Sequence, residues 1–211
     1  MNLNKSNEIL DILRTIIKNP KAELDFNNNF ELICAVILSA QTKDRNVNII
    51  TKDLFIKYPN PFELKKANYS ELEEMIRPLG LSKNKAKNLI DMSSDLVSLY
   101  NGEVPGEFEK LVKLPGVGRK TANVVLALGF NIPSMPVDTH LLKMAERLGY
   151  VSEDANVIEA EEAYKKYIPK DNWIEAHHLF LLYGRYYCLK TKPLCETCKL
   201  QNFCKYFKKK K

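Results

Sequence analysis

The chain has 211 residues and a mass of 24.3 kDa, 45% of it hydrophobic and 27% charged. That balance excludes collagen-like and disordered classes and suits one large domain or two small ones. The longest apolar run, residues 32–38, is far short of the ~20 residues that a membrane span requires. Residues 1–5 hold no apolar signal core, so a cytoplasmic, nucleoid-associated protein without membrane contact is expected. The net charge of +6 is concentrated near one end: residues 185–211 carry nine Lys/Arg against the single acid Glu196. A local basic patch predicts a polyanionic partner, most commonly nucleic acid. The terminal lysines 208–211 supply half of that local excess and can also be read as a solubilising tail.

Taken in chain order, the pattern is helical. Ile9, Ile12, Leu13, Ile16 and Ile17 recur at helical spacing. Residues 30–38 are apolar on nearly every face, which predicts a buried central helix. Ser70-Glu71-Leu72-Glu73 has the form of a capping box opening a helix, and another helix begins at Ser82 and runs to about Tyr100. A short helical stretch over residues 108–112 leads through residues 114–118 into an apolar helix over residues 121–130. Asp138, Asp154 and Asp171 each precede a helical stretch and are candidate N-caps. No segment alternates with period two for long enough to read as a strand. Pro and Gly mark the joints, and the break at residues 131–136 is the best candidate domain boundary. Many short helices with short links predict an all-α globule.

Four of the five cysteines fall in residues 188–204 with the spacing Cys-x6-Cys-x2-Cys-x5-Cys: Cys188, Cys195, Cys198 and Cys204. Disulfides fit poorly, because the chain has no export signal and needs no staples. Four soft thiolates on one compact loop read as a metal site. Zinc sites usually pair two Cys-x2-4-Cys units across a longer finger, and only Cys195 and Cys198 form such a unit here. The wider spacings suit a 4Fe–4S cube held at four corners better than a single ion. Lys190, Lys192, Lys199 and Lys205 interleave the cysteines, which points to a cluster that shapes a basic loop for a phosphate backbone. Cys34, alone in the apolar helix, reads as an inert core residue.

Leu114-Pro115-Gly116-Val117-Gly118-Arg119-Lys120-Thr121-Ala122 joins two helices through a glycine turn. Gly116 and Gly118 permit positive φ and close backbone approach, and amides at a helix start can hold a phosphate. Arg119 and Lys120 stand at the positive end of the helix dipole, each costing about 0.3–1 kcal/mol unless an anion is near. The alternative is an ordinary αα-hairpin with surface bases. The dipole and the neighbouring cation both disfavour the ammonium form of Lys120, which makes it a candidate nucleophile for a Schiff base. Asp138, in Pro136-Val137-Asp138-Thr139-His140, is an N-cap, a carboxylate facing that lysine, or both, since a cap uses one oxygen. His140, His177 and His178 are given no catalytic role; His140 is the best placed to orient a site, and the other two read as helix packing.

These motifs, in this order, together with Leu38-Ser39-Ala40-Gln41-Thr42-Lys43-Asp44-Arg45-Asn46-Val47-Asn48, resemble the endonuclease III family of helix–hairpin–helix DNA glycosylases. The resemblance covers roughly residues 30–204. It implies an all-α fold of two lobes with a DNA-binding cleft between them: a six-helix lobe, residues 21–133, and a cluster lobe, residues 1–20 plus 134–211. Lys120 falls on the family's catalytic lysine and Asp138 on its catalytic aspartate. Gln41 matches a residue that fills the gap left by a flipped nucleotide, and Leu81 matches a wedge in the opposite strand. Gly116, Gly118, Arg119 and Lys190 are expected to contact DNA, and the four clustered cysteines to hold a 4Fe–4S cluster. Related adenine and mismatched-thymine glycosylases lack lysine at position 120, so a bifunctional enzyme is implied. It would be a monomer that removes oxidised or ring-saturated pyrimidines from duplex DNA and nicks abasic sites. The family often has an aromatic after the wedge leucine, where this chain has Ser82. The readings set against this one are a non-catalytic DNA-binding module, an iron–sulfur redox carrier, and a glycosylase for pyrimidine dimers or mismatched thymine.

Overall fold

The computed structural model describes residues 1–210, and all regular structure among them is helical. The α-helices are α1 (Leu3–Ile16), α2 (Asn29–Leu38), α3 (Asp44–Lys57), α4 (Pro61–Leu64), α5 (Tyr69–Ile76), α6 (Ser82–Tyr100), α7 (Phe108–Leu111), α8 (Arg119–Gly129), α9 (Thr139–Leu148), α10 (Val157–Tyr167), α11 (Trp173–Tyr186) and α12 (Lys205–Lys210). Short 3-10 turns occupy Arg77–Leu79, Lys170–Asn172 and Gln201–Phe203. The all-α expectation is met. No helix among the described residues is long and apolar enough to cross a membrane.

The chain divides into two compact units, Ala22–Ile132 on one side and Met1–Lys21 with Pro133–Lys211 on the other. In the first, α2 is buried along nearly its whole length, Leu32, Ile33 and Leu38 being fully inaccessible. It packs against α8, α3 and α6. Each such leucine or isoleucine contributes about 1.5–3 kcal/mol by leaving water. The helix starts at an Asn28 cap: its side chain accepts from Glu31 N at 2.9 Å, while Glu31 Oε2 accepts from Asn27 N at 2.7 Å. Cys34 is fully buried and burial pushes its thiol well above the usual range, as an inert core residue requires.

In the second unit, α9 packs on α10, α11 and α12, and α1 lies against α11. Ile9, Leu10 and Leu13 of α1 join Leu141, Met144, Tyr164 and Phe180 in one core. Tyr164 spends its hydroxyl on Leu141 O at 2.9 Å, and its ring lies 4.7 Å from that of Tyr150 and 4.9 Å from that of Phe180. Arg14 closes α1 onto α11 with a forked pair of bonds to Glu175, 3.0 Å from Nε to Oε1 and 2.5 Å from Nη2 to Oε2.

Several caps differ from the sequence expectation. Asn68, not Ser70, caps α5, accepting from Glu71 N at 3.1 Å. Asn156, not Asp154, caps α10, and forms a true capping box with Glu159. Asp171 lies within a 3-10 turn and caps nothing; Asn172 occupies the cap position of α11. At α5 and α10 the working cap is an asparagine two residues away, which meets the same backbone demand; Asn172 makes no side-chain cap bond. Lys205–Lys210 form α12 packed on α9 rather than a free tail, and Lys209 pairs with Glu153. Lys211 lies outside the described residues.

Candidate active site and metal centre

The glycine hairpin is built from its sequence upward. Val117 N donates to Leu114 O at 3.1 Å, closing a four-residue turn with Pro115 second and Gly116, at φ +78°, third. That is the residue order a type II turn demands. A Cβ on Gly116 would also sit 2.9 Å from Asn88 Cβ, so both torsion and space require glycine. Gly118 does not share the positive φ expected of it: its backbone is extended at φ −90°, ψ 177°. It is the N-cap of α8, with no side-chain cap and nothing within 4 Å of where a Cβ would stand. Its lack of a side chain therefore leaves open surface beside the helix start. The first turn of α8 holds no acid; it holds Arg119 and Lys120, both exposed. Arg119 lies 5.4 Å from the centre of the Phe108 ring on α7.

Asp138 is the N-cap of α9, and Oδ1 alone accepts both cap bonds, from His140 N and Leu141 N at 2.9 Å each. The cap leaves Oδ2 to other work. The segment before it is pinned by His177, whose Nδ1 lies 2.8 Å from Pro136 O. His177 thus does more than pack: it fixes the backbone two residues ahead of Asp138. His178, beside it, is buried with Nδ1 unpartnered, and burial lowers its proton affinity. His140 is half-buried on α9 against α11, where a Cβ on Gly184 would meet its Cβ at 3.1 Å.

Gln41 and Leu81 share a feature that the sequence did not signal. Both are non-glycine residues in the left-handed region, at φ +56° and +53°, a conformation costing about 1–2 kcal/mol per residue. Gln41 stands exposed in the turn closed by Thr42 N donating to Ser39 O at 3.1 Å. Leu81 is half-exposed, at 51%, and follows Gly80 at φ +67°. An exposed leucine held in strained backbone gains nothing for the folding of its own chain. Such outliers gather at functional sites.

The four clustered cysteines are free thiols lining one cavity, together with Arg147, Tyr187 and Tyr206. Among the described residues no three His, Cys, Asp or Glu side chains converge closely enough for a single ion. Three of the four sulfurs lie near donors. Arg147 Nη1 donates to Cys188 Sγ at 3.1 Å, Leu200 N to Cys198 Sγ at 3.4 Å and Phe207 N to Cys204 Sγ at 3.3 Å. Tyr183 Oη lies 3.2 Å from Cys198 Sγ. Arg147 was missed in the sequence. It is 5% exposed and also donates to the carbonyls of Cys188, Leu189 and Lys190 at 2.9–3.0 Å, while stacking on Tyr206. Its signal was a cation on the buried face of α9, between Met144 and Leu148. The side chains of Lys190, Lys192 and Lys199 stand exposed around this loop.

The family model described as HhH-GPD superfamily base excision DNA repair protein matches residues 34–170. Endonuclease III of Bacillus subtilis (strain 168) is 40% identical over 205 residues, covering 97% of this chain and 94% of its own. Two solved structures superpose with a TM-score of 0.96 at 41% identity over all of this chain. One is a non-covalent endonuclease III–DNA complex, covered to 98%, and the other a trapped endonuclease III–DNA covalent intermediate with an estranged adenine, covered to 99%. The chain belongs to the endonuclease III family within the HhH-GPD superfamily.

Proposed function

We propose that this chain is a bifunctional DNA glycosylase and abasic-site lyase of base-excision repair, acting on oxidised or ring-saturated pyrimidines in duplex DNA. The observation that carries the reading is the exposed Lys120 in the first turn of α8, behind a glycine turn and an uncapped helix start. Its relatives are endonuclease III enzymes, one of them trapped covalently on DNA.

A base inside a duplex is out of reach, so the nucleotide must be flipped out. Phosphates held at the start of α8, by Arg119 and by the lysines of the cysteine loop give affinity and register without reading sequence. Gln41 and Leu81 enter the vacated stack and offset an unstacking cost of a few kcal/mol. A ring-saturated pyrimidine stacks poorly and flips more cheaply. Lys120 Nζ then attacks C1′ as the bond to the base breaks. Asp138 stabilises the positive charge that develops on the sugar and assists proton transfer. The C1′–O4′ bond then breaks, O4′ leaving as a hydroxyl, to give the Schiff base; loss of its C2′ proton expels the 3′ phosphate by β-elimination, and hydrolysis frees the lysine.

The four thiols fit a 4Fe–4S cluster, because they surround a cavity instead of meeting at a point and lie near donors suited to sulfur anions. When bound, the cluster ties the four corners of the loop together. Arg147 holds the loop backbone at residues 188–190 and so presents Lys190.

The test is covalent capture. Duplex DNA carrying a thymine glycol, mixed with cluster-loaded protein and borohydride, should yield an adduct on a denaturing gel. No adduct across thymine glycol, other oxidised pyrimidines and an abasic site would leave the binding-module reading in its place. The double duty of Asp138 can be separated too. Asparagine caps as well as aspartate, so Asp138→Asn should melt close to wild type yet lose about 10²–10⁴-fold in base excision. Asp138→Ala should lose the same activity and a further ~1 kcal/mol of stability. An active Asp138→Asn would leave the residue a cap and nothing more.

A further inference from the structure

Lys85 sits on the inward face of α6 beside Ala86 and Leu89 and is 3% exposed. Its ammonium donates to Leu79 O at 3.0 Å and to Thr42 Oγ1 at 3.1 Å. Thr42 Oγ1 in turn donates to the same Leu79 carbonyl. No carboxylate pairs with Lys85 among the described residues, and burial lowers its proton affinity. A buried cation with only neutral partners is costly, and an apolar side chain of similar size would serve stability as well or better. What the three-way contact does is join two turns remote in sequence. Thr42 directly follows Gln41, and Leu79 lies two residues before Leu81. Both turns carry left-handed non-glycine residues at their tips, and such backbone persists only where its surroundings over-determine it.

We infer that Lys85 is a positioning residue that latches the Gln41 turn to the Leu81 turn, so that the two side chains enter the DNA stack as one rigid unit. The inference rests on the reading of Gln41 and Leu81 as gap-filling residues. The tie is local to the first unit and touches neither DNA nor the reacting atoms. Its effect falls on the flipping step and not on the chemistry at Lys120.

Stopped-flow fluorescence with 2-aminopurine opposite a thymine glycol reads that step. It is paired with single-turnover excision on the same duplex and with cleavage of a single-stranded abasic oligonucleotide, where no stack must be opened. Lys85→Met and Thr42→Val should slow the fluorescence rise and lower the ratio of duplex excision to single-strand cleavage by ten- to about a hundredfold. Thr42→Ser, which keeps the hydroxyl, should restore the ratio. Lys85→Met should melt no lower than wild type, and if it does not fold, Thr42→Val carries the test. Wild-type flipping in both variants, or an equal loss on both substrates, overturns the latch. Gln41→Ala and Leu81→Ala set the reference. If they are impaired while Lys85→Met and Thr42→Val are not, the latch alone fails. If they too flip normally, the gap-filling reading fails and takes the latch with it.

Discussion

Lys120→Gln should yield no borohydride-trapped adduct and lose strand cleavage by on the order of 10⁴-fold or more, the scale seen when a nucleophile is removed. Duplex affinity should stay within a few-fold. The separation follows from where the residue stands. Lys120 is one of two cations in the first turn of α8, and Arg119 with the exposed backbone at Gly118 remains to hold a phosphate. Removing one phosphate contact weakens binding modestly and lowers its salt dependence by about one counterion. Removing the amine eliminates the only group assigned to the covalent step. Gel-shift titration across salt, beside the trapping gel, measures both. Cleavage that survives in Lys120→Gln would mean that another amine attacks C1′, and Lys120 would revert to a phosphate clamp.

Cys198→Ser should lose the yellow-brown absorption of an iron–sulfur cluster and weaken duplex binding together, by at least about tenfold. Serine offers a hard oxygen in place of a soft thiolate. Cys198 is also held within the loop, with Leu200 N and Tyr183 Oη both at its sulfur. With that corner released, residues 189–203 lose their fixed path between cluster ligands, and Lys190, Lys192 and Lys199 scatter. A loop that must be ordered on binding costs affinity. Chelation of iron from the wild type should reproduce the loss. If the colour goes and affinity stays, the lysine loop is not a DNA clamp, and the cluster serves another end.

Much of this was legible in the sequence because it rests on local rules. The apolar run of α2, the turn chemistry of Pro115-Gly116 and the Asp138 cap are each dictated by neighbours a few residues away. The caps at Asn68 and Asn156 were each displaced by two residues because several polar side chains compete near a helix start, and tertiary packing chooses among them. Lys85 and Arg147 were missed for a different reason. Each is a cation on a buried helical face, so periodicity marks it as an anomaly, but Lys85 reaches Thr42, 43 residues away, and Arg147 reaches Cys188, 41 residues away. No spacing rule reaches that far. The left-handed conformations of Gln41 and Leu81 were hidden too, since neither residue type favours them; the strain is imposed by the turns around them.

The seating of α1 has a consequence for how the molecule is made. This helix leaves the ribosome well before its core neighbours Leu141, Met144 and Phe180 and its partner Glu175. At roughly 5–20 residues per second, synthesis leaves it waiting for about ten to thirty seconds. Over that interval residues 22–132, with their own apolar core, can collapse without it. The nascent chain therefore carries an amphipathic segment with nothing to bury against until α9 and α11 have been made. Chaperone capture of the growing polypeptide should concentrate on residues 3–16.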